Sequence, residues 1–156
     1  MDETRLLREQ LLELLDGRSA HIDIETALKD FPLDQINSKA AGSPHTAWQL
    51  LEHIRIAQWD ILEFCRNANY KELRWPDDYW PSVEGTKESW TNSLKQILHD
   101  LQAMRDLVTD EKVDLFVAIQ HGDGQTVLRE AMLVADHNAY HLGQIVLLGK
   151  MLSAPE

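Results

Sequence analysis

The sequence is poor in cysteine: Cys65 is the only one among 156 residues, so no intrachain disulfide can form. It also lacks any apolar run approaching the roughly 20 residues that a membrane-spanning helix requires. Basic residues are the minority, 15 Lys and Arg against 26 Asp and Glu, for a formal net charge of -11. They are scattered singly, which excludes a concentrated patch for nucleic acid, and the same acidity disfavours an anionic membrane surface. The opening residues Met1-Asp2-Glu3-Thr4-Arg5 have neither the basic start nor the apolar stretch of a secretory signal. With the lone cysteine, this predicts a soluble cytoplasmic protein. Cys65 sits where a helical pattern ends, with only Arg66 as a cationic neighbour, and reads as a core or boundary residue rather than a reactive thiol.

What is present is helical periodicity. The hydrophobic fraction of 44% is enough for one sizeable core, and residues 1–156 are read as a single domain without internal repeats. Leu7, Leu11, Leu14 and Leu15 mark a first helix over residues 4–16, with Gly17 where a left-handed cap is expected. A short accessory helix runs from Asp23 to Phe31, stopped by Pro32. Ser43-Pro44 offers an N-cap and a first-turn proline for a second long helix to about Arg66. Its inward stripe is Ala47, Leu50, Ile54, Ala57, Ile61 and Phe64, with His53 and Asp60 beside it.

Residues 67–85 break the pattern, because Trp75-Pro76-Asp77-Asp78-Tyr79-Trp80-Pro81 cannot continue a helix. At roughly 3.3 Å per extended residue such a link can traverse a bundle, which allows the flanking helices to run parallel. Thr86 then caps a third long helix carrying Trp90, Leu94, Ile97, Leu101, Met104 and Val108. The apolar patch Val113 to Ile119 reads as a short extended segment, and His121-Gly122-Asp123-Gly124 as a turn. A fourth long helix runs from Thr126 to about Leu152.

His137 and His141 lie four apart on that last helix, so their side chains share one face, about 5–6 Å apart at Cβ and able to grip one ion. In a chain with seven histidines such a pair is weak evidence by itself. Val134, Leu142, Ile145 and Leu148 share the face, however, and imidazoles turned into a core need partners. His53 is the only other histidine flanking an inward stripe of a long helix, and it supplies a third ligand. Ordinary hydrogen-bonded core histidines account for the periodicity equally well. Three protein ligands leave a coordination shell incomplete, as in catalytic sites. Asp60 and Gln144 are candidates to orient the imidazoles, and Trp48, Trp75, Tyr79 and Trp80 to line the mouth of a small-molecule pocket. Histidines 21, 45, 99 and 121 read as surface or capping residues, and Asp136 and Tyr140 as pointing off the ligand face.

The stretches Ser43-Pro44-His45-Thr46-Ala47-Trp48-Gln49-Leu50-Leu51-Glu52-His53 and Asp136-His137-Asn138-Ala139-Tyr140-His141-Leu142-Gly143-Gln144-Ile145 resemble the DinB-like superfamily of damage-inducible proteins. The resemblance covers essentially the whole chain and extends, in one subgroup, to the Trp75–Pro81 crossover. It implies an all-α four-helix bundle with up-down-down-up connectivity, a homodimer, and a metal, often nickel or zinc, held by His53, His137 and His141. It also implies a metal-dependent enzyme that activates a water or a low-molecular-weight thiol such as bacillithiol against a small electrophile, as a thiol S-transferase or a hydrolase. The alternative is a non-catalytic stress-response module, either a metal-binding protein or a dimeric scaffold.

Overall fold

The structure is a computed structural model that describes residues 2–153. Its order is α1 (Glu3–Asp16), α2 (Ile24–Lys29), α3 (Ala47–Arg66), a 3-10 turn (Asp77–Tyr79), α4 (Lys87–Thr109) and α5 (Val127–Leu152). The described residues therefore form an all-helical protein of four longer helices, of 14, 20, 23 and 26 residues, and one of six, with no strand. No helix among them is long and apolar enough to cross a membrane.

Each helix end has a local cause. Asp2 accepts from the Thr4 and Arg5 amides at the start of α1, and Gly17, at φ +67°, closes it in the left-handed region. The start of α3 differs from the Ser43-Pro44 expectation. The Ser43 hydroxyl donates to the His45 carbonyl, and Thr46 is the cap, exchanging hydrogen bonds with Gln49 in a capping box. Thr86 and Ser89 form the same device on α4, and the Thr126 hydroxyl accepts from the Arg129 amide on α5. α2 ends at Lys29, two residues short of Phe31. The Val113–Ile119 patch forms no strand: Leu115 and Ile119 turn inward, and only an isolated bridge between Ala118 and Thr126 survives. Without a second strand beside it, that segment has no ladder to join.

α3 is the central element, packed against both α4 and α5. One apolar cluster joins α2 to the first half of α3, the start of α4 and the end of α5 through Leu51, Ile54, Ile97 and Ile145. A second joins α1 to the other halves through Leu62, Met104, Val108 and Val134. Burial of each such side chain contributes about 1.5–3 kcal/mol. Between the clusters, buried Gln58 donates to the Ile97 carbonyl at 2.7 Å and accepts from Asn138 at 2.6 Å, tying the three longest helices together.

The crossover is fastened at its end. Asn37 and Gly85 exchange two hydrogen bonds, of 2.8 and 2.9 Å, and the buried Trp48 indole donates to the Val83 carbonyl at 2.9 Å. A Cβ built on Gly85 would stand 2.4 Å from the Trp48 ring, so only glycine fits there. Gly143, in mid-α5, faces open space instead. Gly85→Ala is therefore expected to lower stability by about 1–3 kcal/mol through overpacking. Gly143→Ala should raise it by up to about 1 kcal/mol through helix propensity. Urea denaturation midpoints of the two variants check the opposite signs.

Candidate metal centre

α3 and α5 lie side by side and bring His53 against His137 and His141. One ring nitrogen from each of the three lies within 4.8 Å of the others, and the Nε2 atoms of His53 and His137 are 3.1 Å apart. Nitrogens that share a tetrahedral ion at 2.0–2.1 Å are separated by about 3.3–3.4 Å, so the His53–His137 pair is close to chelate spacing.

Hydrogen bonds fix which nitrogens are bare. His53 Nδ1 is 3.0 Å from the Tyr79 carbonyl, which can only accept, so Nδ1 carries the proton and Nε2 keeps its lone pair. His141 Nδ1 donates likewise to Gln144 Oε1 at 2.8 Å, leaving its Nε2 unprotonated. The Nδ1 of His137 is buried without a partner, and its Nε2 donates to the bare Nε2 of His53 at 3.1 Å, so an ion held there would take the place of that shared proton, which moves to Nδ1. Burial is the leading cause that lowers the pKa of all three imidazoles, reinforced for His137 by its two neighbours, which bring it to about 3. Three neutral, inward-facing imidazoles suit a divalent transition ion in donor type.

The histidines form one wall of a cavity of about 730 Å³ between α3, α5, the crossover and the turn before α5. Of the aromatic residues expected at its mouth, Trp75 and Tyr79 line it, whereas Trp48 and Trp80 do not. Trp48 is a core residue committed to Val83, because its position follows the inward turn of the Thr46 capping box. Trp80 instead stacks on His53, centroids 4.1 Å apart and planes 2° from parallel, with His45 on its other face at 4.2 Å. His45, expected at the surface, is thus half-buried in that stack.

Asp60 hydrogen-bonds to none of the three histidines. Its carboxylate accepts from the hydroxyls of Tyr70 at 2.8 Å and Tyr79 at 2.6 Å, so it acts on His53 through Tyr79, whose carbonyl holds the ring. Burial and the Asp60 charge both raise the two phenols. Gln144 contacts His141 directly, and Tyr140 sits exposed on the cavity wall, edge-on to the same ring. Cys65 lies outside the cavity lining, with its thiol pushed up to about 12 by burial, which leaves it unreactive.

Lining residues that escaped the sequence reading include Tyr70, Glu72, His121, Arg129 and Glu130. His121 Nε2 donates to the Phe64 carbonyl at 2.8 Å, at the end of the α3 stripe, a long-range contact that no local pattern announces. Glu130 did leave a signal, since it lies seven residues, two turns, before His137 on the same helix.

The family model for the DinB superfamily matches residues 7–145, from within α1 to within α5. No curated protein and no solved structure matches the chain. The match extends over most of the sequence, and the chain belongs to the DinB superfamily.

Proposed function

We propose that the chain is a metal-dependent enzyme acting on a small molecule, with His53, His137 and His141 holding one divalent ion, nickel or zinc, at the wall of the cavity. The observation that carries this reading is the convergence of three ligand atoms, from two helices, within 4.8 Å at the edge of a space large enough for a substrate. The chemistry such an ion supplies is a lowered pKa for a water or a low-molecular-weight thiol, such as bacillithiol, directed at an electrophile in a thiol S-transferase or hydrolase reaction. The chain's own residues supply the rest. The Tyr79 carbonyl and Gln144 Oε1 orient two of the ligands and fix their tautomers. Trp80 holds the His53 ring flat from behind. Ala57, Ile61 and Leu133 give the cavity an apolar flank. The same reading has the longer helices connected up-down-down-up, with residues 67–85 as the long link.

Protein purified without a tag is expected to contain close to one nickel or zinc per chain by elemental analysis. His53→Ala should lose that metal, with affinity falling about a hundredfold or more, and lose any metal-dependent consumption of a thiol with a chlorinated electrophile. Stoichiometric metal uptake without turnover of any such substrate would make the chain a metal-binding module and overturn the enzymatic reading.

Gln144→Ala removes only the acceptor behind His141 and should weaken metal binding about tenfold, while Gln144→Glu retains it, as read by competition with a chromophoric chelator. The lowered imidazole pKa values also set a pH dependence. Below about pH 6.5 the unfolded chain binds protons that the folded, metal-free chain refuses, so unfolding takes up protons and stability falls as pH drops. Urea midpoints of the metal-free protein should decline from pH 7 to pH 5. A flat or rising profile contradicts the burial of neutral imidazoles.

A further inference from the structure

The cavity is electrostatically two-ended. Its histidine end is neutral, but further along α3 and α5 it is lined by four carboxylates, Asp60, Glu72, Asp123 and Glu130, against one guanidinium, Arg129. Arg129 donates to Glu130 at 2.6 Å, so those two charges offset each other, and Asp60, Glu72 and Asp123 carry the negative charge of that end. Asp60 lies seven residues from His53, or roughly 10 Å along the α3 axis, so the acidic end is well separated from the proposed ion.

The walls of that end are aromatic as well as acidic. Phe64 and Tyr70 pack edge-to-face at 5.4 Å, and Trp75, 5.3 Å from the Tyr79 ring and 6.3 Å from that of His53, continues the aromatic wall towards the histidines. Both phenol hydroxyls are turned to Asp60 as donors, so their remaining capacity is to accept. Because His121 Nε2 donates to Phe64, its other ring nitrogen is also an acceptor. Negative charge, π faces and unmet acceptors in one cavity are the combination that attracts an organic cation and repels a carboxylate.

We propose that this end of the cavity binds an organic ammonium group on the molecule whose reactive end lies at the histidines. The inference rests on reading the cavity as the substrate site, but not on the presence of a metal. It excludes thiols and electrophiles whose only charged groups are carboxylates.

The test is calorimetric titration of the full chain, stripped of metal, with benzyltrimethylammonium, whose quaternary nitrogen cannot ligate a metal. Benzyl alcohol and phenylacetate serve as neutral and anionic comparators. The cation is expected to bind about tenfold tighter than benzyl alcohol, and phenylacetate weakest of the three. Glu72→Gln and Asp123→Asn alter exposed side chains and should each weaken the cation about threefold or more. Trp75→Ala, at a ring 70% exposed, should do the same through the lost π face, with the fold verified by circular dichroism. Equal affinity for the three probes, or tighter binding of phenylacetate, overturns the proposal. Metal uptake by the same preparation is measured in parallel: cation selectivity without metal uptake sinks the metal reading alone, and metal uptake without cation selectivity sinks this one alone.

Discussion

The hydrogen bond from His53 Nδ1 to the Tyr79 carbonyl joins the two parts of the molecule that the candidate site needs, helix α3 and the crossover that follows it. It commits one ring nitrogen as a donor and thereby leaves the other as a bare lone pair facing α5. Much of the surrounding structure bears on that contact. Asp60 anchors the Tyr79 hydroxyl, Trp80 stacks on the imidazole one residue later, and the Trp48, Asn37 and Gly85 contacts fix the end of the crossover. The same segment that positions the ligand also supplies the aromatic wall of the cavity, so ligand geometry and substrate space are not independent.

Burial gives the arrangement its chemical character. A histidine with full access to water shares its lone pair with protons near neutrality, whereas burial lowers the pKa of these three, reinforced for His53 and His137 by neighbouring imidazoles. Burying imidazoles has a cost in stability where a ring nitrogen is left unmatched, as the buried Nδ1 of His137 is. The apolar clusters on either side of the Gln58–Asn138 bridge offset it, because α3 and α5 are fixed to each other and to α4 independently of the histidines.

Most of the fold was legible because its helices carry strong, uninterrupted periodicity between recognisable caps. Thr86, Thr126 and Gly17 act where their residue types predict. Ser43 did not, because Thr46 with Gln49 offers a complete capping box three residues later, and two reciprocal bonds outcompete a single cap with proline. The histidine convergence was legible from spacing on two inward faces. The crossover was not: which of its aromatics line the cavity depends on contacts to Val83 and His53 across the tertiary structure, as Trp48 and Trp80 illustrate. His121 and Arg129 were hidden for the same reason, since a turn and a helix start acquire their surroundings only once α3 and α5 are packed.

The central claim is that three imidazoles share one ion and leave part of its shell open. X-ray absorption of the chain loaded with one equivalent of zinc or nickel measures this directly. The account predicts three imidazole scatterers, at about 2.0–2.1 Å if the ion is zinc, with any remaining positions taken by exchangeable light atoms. A shell with fewer than three imidazoles, or one closed by further protein side chains, would contradict it.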